Sequence, residues 1–257
     1  MIEGLFRDFS DLAQVEAIAL GGSRAGEVFD EKSDYDIYLY CTGEVTEEEK
    51  RPILEKYCSY LELSNHFWEL EDNCRLKNGI DMDILYRNLD DFVLDVASVV
   101  EQKNARNGYT TCMWHNLRTC KIVYDANGRL TEAKRRFSVP YPQELKRNII
   151  DRNCRLLYAY MPAYSDQIRK AVKRNDLVSI NHRTAAFMES YFDVIFALNE
   201  QTHPGEKRLI RLAKERCAIL PNHFEENIQK LYSNLFVNPE EAVAVLEEMI
   251  VELKQIL

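Results

Sequence analysis

Residues 21–36, GGSRAGEVFDEKSDYD, lie between two short apolar runs and decide how the first half of the chain folds. The upstream run VEAIAL, 15–20, predicts a buried strand that the pair Gly21-Gly22 ends in a turn. The downstream run DIYLYC, 36–41, predicts a second strand. A glycine turn and an aspartate-rich strand entry are therefore expected close to each other.

These two features have complementary chemistry. Side chains two residues apart on a strand point to one face, so Asp34 and Asp36 are expected to project together. Paired carboxylates repel unless a cation lies between them, and Mg²⁺ accepts one or two carboxylates together with phosphate oxygens. The Gly21-Gly22-Ser23 turn lets backbone N–H groups approach an anion closely. Each feature alone is common in turns and loop ends, but together they predict a metal-bound phosphate site.

A third carboxylate is available from the segment GIDMDILYR, 79–87, which places Asp81 and Asp83 on one face of another predicted strand. Two-metal phosphoryl transfer uses such an extra ligand to hold both the attacking and the leaving oxygen. The alternative is a solvated face of a hairpin, and this alternative has more weight for Asp81 than for Asp83.

The remaining pattern predicts an α+β protein with two domains. A mixed sheet flanked by helices is expected over residues 1–137, and an all-α bundle over 143–257, joined by the proline-containing connector SVPYPQE, 138–144. Strands are expected around the Asn78-Gly79 turn within 67–87 and from residue 121. The predicted helices are 2–14, 46–63 behind the N-cap Thr46, 88–104, 145–160, a long one behind the N-cap Asp176, 208–217, 224–235 and 240–257.

The motifs GGSRAG at 21–26, SDYD at 33–36 and MDILYR at 82–87 together resemble the nucleotidyltransferase superfamily related to DNA polymerase β. The similarity is greatest to small bacterial enzymes of the aminoglycoside and lincosamide type, in which a minimal nucleotidyltransferase domain precedes a helical bundle. The motif resemblance covers residues 15–87, and the helical half resembles the family in architecture alone. It implies a polymerase β-like first domain and a substrate-binding second domain.

The resemblance also implies roles for individual residues. Gly22 and Ser23 would hold the nucleotide phosphates, and Asp34, Asp36 and Asp83 would coordinate two Mg²⁺ ions. An acceptor hydroxyl would attack the α-phosphorus of a nucleoside triphosphate, with ATP favoured, and pyrophosphate would leave. The implied acceptor is a small hydroxylated molecule such as an aminoglycoside-like or lincosamide-like antibiotic.

Other candidate residues have weaker support. Arg24, beside the turn, could reach a phosphate, although a surface arginine is the favoured interpretation. Lys207 is a candidate triphosphate contact from the second domain, and a solvated helix-end charge explains it equally well. The general base stays open among Glu101, Glu189 and Asp193.

Composition limits the partners. The formal net charge of -9 argues against a nucleic-acid polymer, because phosphate binding normally requires a basic surface. Seven scattered cysteines, no signal-peptide pattern and no long apolar stretch predict a cytoplasmic protein. The family resemblance allows a homodimer. The alternative functions are modification of a protein or an RNA end by an antitoxin-type enzyme, and nucleotide binding without catalysis.

Overall fold

The structure, a computed structural model, describes residues 2–25, 33–67 and 69–257, with Ser23 described by its backbone alone. The chain forms two compact units. The first contains the described part of Met1–Ala97 together with Asn116–Val139, and the second contains Ser98–His115 together with Pro140–Leu257.

The first unit is built on a mixed six-stranded sheet of order β3-β4-β5-β2-β1-β6. Strands β2 and β5 run parallel, and all other neighbouring pairs are antiparallel. The strands are β1 Val15–Leu20, β2 Tyr35–Cys41, β3 Cys58–Asn65, β4 Leu70–Leu76, β5 Asp81–Arg87 and β6 Lys121–Asp125. The helices up to residue 139 are α1 Ile2–Ser10, α2 Glu47–Tyr57, α3 Leu89–Val100, α4 Cys112–Thr119 and α5 Arg129–Arg136.

The core of the first unit lies on one face of this sheet. Alternate residues of β2 and β5, such as Ile37 and Ile84, pack there against Leu5 and Phe9 of α1 and Leu54 of α2. All six residues of β1 are buried, as the apolar run VEAIAL predicts. Because side chains alternate along β2 and β5, the residues between these apolar ones lie on the opposite face of the sheet. Asp36 and Asp83 are among them.

The β4–β5 hairpin confirms the turn predicted at Asn78-Gly79. The Gly79 N–H donates to the Leu76 carbonyl at 2.9 Å, and Gly79 has a φ of +86°, a conformation that favours glycine. This turn sets the register that places Asn73 opposite Asp83.

Strand β3 corrects the sequence prediction, which extended the second helix to residue 63. Helix α2 begins with the capping box of Thr46 and Glu49 but ends at Tyr57. The chain then continues directly as β3, which pairs antiparallel with β4 through Leu61↔Cys74 and Glu62↔Asn73. The segment is compatible with a helix locally, and its pairing with a distant strand overrides that preference.

The second unit is helical, as predicted. Its later helices are α6 Gln143–Cys154, α7 Tyr164–Lys173, α8 Leu177–Leu198, α9 Leu209–Arg216, α10 Phe224–Asn234 and α11 Pro239–Gln255. The predicted helix 145–160 is α6 followed by a π-helical turn over Arg155–Ala159. Asp176 caps α8 by accepting the Ser179 N–H at 3.1 Å, which confirms its predicted role. The core is continuous around α8, with Phe187, Tyr191 and Ile195 fully buried. The predicted α+β fold class is therefore confirmed.

None of the helices in the described residues has the length and apolar character needed to cross a membrane.

An ion pair is buried under the sheet between α2 and β4. Lys50 is 1% exposed and Asp72 is not exposed, and their Nζ and Oδ1 atoms lie 2.7 Å apart. Asp72 also accepts the Tyr86 hydroxyl at 2.7 Å and the Ser64 N–H at 2.8 Å. Lys50 lies 4.6 Å from the centre of the Tyr86 ring. The carboxylate is thus fully satisfied, which a buried charge requires.

We expect Lys50→Met to lower the free energy of unfolding by about 3–5 kcal/mol, because Asp72 would stay buried without its cation. Urea titration followed by circular dichroism measures the loss. The control is Lys56→Met, which removes the exposed partner of Asp8 and should change stability only slightly. Equal losses in the two variants would contradict the role of the buried pair.

Candidate functional site

The Gly21-Gly22 turn is held against the beginning of β2. The Gly21 N–H donates to the Asp36 carbonyl at 2.8 Å, extending the β1–β2 ladder. Gly22 has a φ of +58°, and a Cβ placed on it would lie 1.8 Å from Asp36 Oδ2. The Asp36 carboxylate therefore occupies the space that any side chain at position 22 would need, and glycine is required there for two reasons.

Asp36 and Asp83 are direct neighbours. In the parallel register of β2 and β5, Asp36 pairs with Asp83, so both carboxylates project from the same face of adjacent strands. The Asn73 Nδ2 on β4 donates to Asp83 Oδ1 at 2.8 Å, and the Asn65 Nδ2 on β3 donates to Asn73 Oδ1 at 2.7 Å. A row of two amides thus holds the Asp83 carboxylate beside that of Asp36.

The two other aspartates of the motifs have different surroundings. Asp34 is exposed and directly precedes β2. Asp81 begins β5, where its Oδ1 lies 2.7 Å from the Arg75 Nε, and this hydrogen bond lowers the pKa of Asp81. Because Asp81 pairs with Arg75 and Asp83 pairs with Asp36 in the sheet, Asp83 is the better candidate for the third acidic position.

Glu71 adds another acidic group to this face. It is 8% exposed and lies on β4 two residues before Asn73. Burial raises its pKa, and the nearby Asp83 carboxylate raises it further. The sequence interpretation did not single out Glu71, Asn73 or Asn65. The signal was the set of polar residues at positions 71, 73 and 75 of β4, which the period of two puts on one face.

Arg24 is not the surface arginine that the sequence favoured. It is 9% exposed, its Nε donates to the Ser33 carbonyl at 2.6 Å, and its guanidinium lies 3.9 Å from the centre of the Tyr35 ring. These contacts hold the short 3₁₀ turn Ser23–Ala25 against the chain that precedes Asp34. The side chain of Ser23, the predicted phosphate contact, lies outside the described residues, as do residues 26–32 of the opening stretch.

The same face of the sheet also carries an arginine and aromatic side chains. Arg87 forms two hydrogen bonds to the Glu69 carboxylate, both at 2.7 Å. Its guanidinium lies 4.3 Å from the Tyr38 ring centre. The Tyr38 ring covers Gly21 so closely that a Cβ there would lie 2.3 Å from it. Tyr38 thus packs on Gly21 and Asp36 on Gly22, so both residues of the turn are in contact with β2.

The donor chemistry of the site fits a hard divalent cation. Asp36 and Asp83 offer carboxylate oxygens from adjacent strands, and Mg²⁺ typically takes one or two carboxylates and completes its shell with water and phosphate oxygens. Within residues 2–25, 33–67 and 69–257, no group of three or more His, Cys, Asp or Glu side chains is arranged as a metal site. Metal binding by Asp34, Asp36 and Asp83 therefore stays a prediction.

The candidates from the second unit differ in accessibility. Lys207 is exposed just before α9. Asp193 on α8 is 1% exposed and accepts hydrogen bonds from the Thr110 N–H, the Thr110 hydroxyl and the Asn153 amide, at 3.1, 2.6 and 3.1 Å. Burial raises its pKa to about 7. A general base must reach the acceptor hydroxyl, so this burial favours a structural role for Asp193.

His203 in the same unit is fully buried, with its ring edge-on to Tyr109 and Phe196 at 4.7 and 5.2 Å. The backbone N–H of His203 donates to the Thr111 hydroxyl at 2.8 Å. Burial lowers its pKa to about 3, so the ring is neutral at physiological pH.

Comparison with known proteins returns nucleotidyltransferases at low similarity. The family model described as Domain of unknown function (DUF4037) matches residues 110–209. No curated protein matches the chain. A nucleotidyltransferase-like protein from Exiguobacterium sibiricum 255-15 has 11% identity and a TM-score of 0.42, with 96% of this chain and 72% of that chain covered.

Two further solved structures are of the same general kind. An aminoglycoside 6-adenyltransferase from Bacillus subtilis has 12% identity and a TM-score of 0.31, covering 99% of this chain and 89% of that chain. The Thermotoga maritima CCA-adding enzyme complexed with tRNA has 10% identity and a TM-score of 0.26, covering 99% and 79%. With TM-scores below 0.5, the likeness does not decide the activity of this chain, which must be inferred from its own residues.

We expect Gly22→Ala to displace the Asp36 carboxylate and to lower the free energy of unfolding by about 1–3 kcal/mol, because the new methyl group both overlaps Oδ2 and strains the backbone. Urea titration measures the stability. Gly43→Ala is the matched control, since a Cβ at Gly43 meets nothing within 4 Å and its backbone does not have a positive φ. A Gly22 variant as stable as the Gly43 variant would contradict this geometry.

The raised pKa of Asp193 predicts a pH-dependent effect of Asp193→Asn. Between its ordinary pKa of 3.8 and about 7, the folded state holds a proton on Asp193 that the unfolded state lacks. The contribution of Asp193 to the stability of the wild type is therefore largest below pH 4. It falls as the pH rises to about 7 and is constant above that. The stability gap between wild type and variant should narrow over this range, by up to about 1.4 kcal/mol per pH unit.

Unfolding of both proteins at several pH values between 4.5 and 8 tests this expectation. His203 acts in the opposite sense, because its lowered pKa costs stability as the pH falls below 6.5, but it is common to both proteins and cancels in the gap. Asp151→Asn, at an exposed carboxylate of the same unit, is the control. A gap for Asp193→Asn that stays constant with pH would show that the carboxyl titrates normally.

Proposed function

We propose that this chain is a metal-dependent nucleotidyltransferase that transfers a nucleoside monophosphate, AMP from ATP, to a hydroxyl group of a small molecule and releases pyrophosphate. The observation that carries the proposal is the in-register pairing of Asp36 with Asp83 beside the glycine turn at Gly22. Two carboxylates held side by side on adjacent strands repel each other, and a cation bound between them relieves that repulsion.

In this proposal the residues of the first unit position the triphosphate. The backbone N–H groups of Gly22 and Ser23 bind phosphate oxygens, as those of glycine-rich turns commonly do. Asp36 and Asp83 hold a divalent cation, Asp34 serves a second one, and Asn73 orients the Asp83 carboxylate. A bound cation supplies charge neutralisation at the reacting phosphate and at the leaving pyrophosphate. Arg24 links the turn to Ser33 and Tyr35 and, like Lys207, is a proposed nucleotide contact.

The reaction forms one bond and breaks one. The acceptor oxygen bonds to the α-phosphorus while the bond from that phosphorus to the pyrophosphate oxygen breaks. The acceptor hydroxyl loses its proton, and the electron pair of the broken bond leaves with pyrophosphate. Most of the acceleration in such a transfer comes from positioning and electrostatic stabilisation, which is the contribution this arrangement of carboxylates and backbone can make.

The helical segment 143–257 is proposed to bind the acceptor, with the segment 1–137 as the nucleotidyltransferase domain. The acidic net charge of -9 favours a cationic or neutral acceptor over an RNA end. An aminoglycoside-like or lincosamide-like antibiotic fits this class, and the motif resemblance to enzymes of that type supports the choice.

Incubation with labelled nucleoside triphosphates, Mg²⁺ and a panel of hydroxylated amines tests the proposal. We expect Asp36→Asn and Asp83→Asn each to lower the transfer rate by at least about 100-fold, the scale of losing a main electrostatic contact to the transition state. Asp81→Asn is the matched control, because Asp81 is paired with Arg75 at the exposed start of the same strand. It should keep a rate close to that of the wild type.

A second readout does not depend on knowing the acceptor. Calorimetric titration with a non-hydrolysable ATP analogue should show binding that requires Mg²⁺ and that is lost in both site variants. Metal-independent binding would favour a nucleotide-binding protein without catalysis. Label found on a protein or RNA, with none on any small acceptor, would show that the acceptor class is wrong.

A further inference from the structure

A separate pocket of about 880 Å³ lies entirely within the helical unit, between α8, α9 and α10. This volume is within the range of small-molecule sites in proteins. Its lining includes the aromatic rings of Tyr109, Phe192 and Tyr232 and the apolar side chains of Met188 and Ile228. Rings and aliphatic groups dominate the wall, so the body of any ligand is apolar.

Some of the charged groups in the pocket form ion pairs and others do not. Arg211 pairs with Glu215 at 3.4 Å, and the Lys214 ammonium pairs with Glu225. Glu189 and Glu206 also line the pocket but make no ion pair or hydrogen bond within the part of the chain that the structure describes. Arg208 stands exposed at the entrance to α9, whereas Glu189 is half-buried in the wall. The inner charge of the pocket is therefore negative.

Glu189 is fixed in position by the loop that precedes α4. Gly108 has a φ of +79°, and a Cβ placed on it would lie 2.8 Å from the Cβ of Glu189. The Gly108 N–H donates to the buried Asn153 Oδ1 at 3.0 Å, which anchors the loop to α6. The Tyr109 ring lines the same pocket as Glu189 and Glu206. Burial raises the pKa of the Tyr109 hydroxyl to about 12, and the charges of the two carboxylates contribute to this rise. Glu189, Glu206 and the Tyr109 ring thus belong to the wall of one pocket.

We propose that this pocket binds an organic cation, an amine or quaternary ammonium group carried on an aromatic or branched apolar body. A half-buried carboxylate without a partner is costly, and a ligand ammonium removes that cost. Tyr109, Phe192 and Tyr232 line the pocket, and the negative π-system of an aromatic ring attracts the same group. An anionic ligand would meet Glu189 and Glu206, and a neutral one would leave them unpaired.

The proposal goes beyond nucleotidyl transfer and does not depend on it, because it concerns binding within the helical unit alone. Cation binding in the pocket would still hold if the chain transferred no nucleotide. Conversely, the chain could transfer nucleotides to an acceptor while the pocket bound no cation, and this proposal alone would then be wrong. The two ideas can thus fail separately.

Calorimetry or ligand-observed NMR with three naphthalene probes of one shape provides the test: 1-naphthylmethylamine, 1-naphthylmethanol and 1-naphthylacetate. We expect the amine to bind about tenfold more tightly than the alcohol, the scale of a charge contact combined with a cation–π contact, and the acetate to bind most weakly. In Glu189→Gln the preference of amine over alcohol should shrink to about twofold or less, since the amide keeps the shape and removes the charge.

Two further variants separate the pocket from general surface charge. Glu215→Gln removes a carboxylate that lines the same pocket but is paired with Arg211, and it should leave the amine affinity within about twofold. Tyr232→Leu changes an exposed residue, keeps apolar area and removes a ring, so it should weaken the amine more than the alcohol. The proposal is overturned if the folded wild type binds the alcohol or acetate as well as the amine, binds none of the probes, or loses the same affinity in the Glu189 and Glu215 variants.

Discussion

The parallel pairing of β2 with β5 is the constraint on which the first unit depends. Parallel neighbours need a long crossover connection, and here the chain between them supplies α2, β3 and β4. That connection adds two antiparallel strands to the free edge of β5, while β1 and β6 continue the sheet beyond β2. The register of this one pair brings Asp36 and Asp83, which are far apart in sequence, onto adjacent positions of a single face.

The period of two then separates two kinds of chemistry on the two faces of the sheet. On one side the apolar residues of β2 and β5 pack on α1 and α2, together with the buried ion pair of Lys50 and Asp72. On the other side carboxylates, amides and the Arg87–Glu69 pair share the surface. The apolar face fixes the register by its cost of exposure, because a slip by one residue would exchange the two sets of side chains. The stability of the core therefore determines the geometry of the polar site.

The sequence predicted the parts of this arrangement that have local signals. The run VEAIAL, the Asn78-Gly79 turn and the Asp176 cap each carry their chemistry within a few residues, and the structure confirms them. Strand β3 was missed because its strand state comes from pairing with β4 and not from its own composition. The burial of Arg24 and the support that Asn73 gives Asp83 depend on contacts between separate segments, so no window of sequence could show them. The functions of Asp34, Asp36 and Asp83 stay predictions.

The support of Asp83 by amides has an electrostatic meaning. An arginine at position 73 could hold the Asp83 carboxylate as firmly, but it would also neutralise the charge of Asp83. Arg75 neutralises Asp81 in this way. Asn73 and Asn65 carry no net charge, so they fix the direction of the Asp83 oxygens while leaving the negative potential of the site intact. Orientation and charge are controlled by different groups on this face, and the amides that orient Asp83 leave its attraction for a positively charged partner in place.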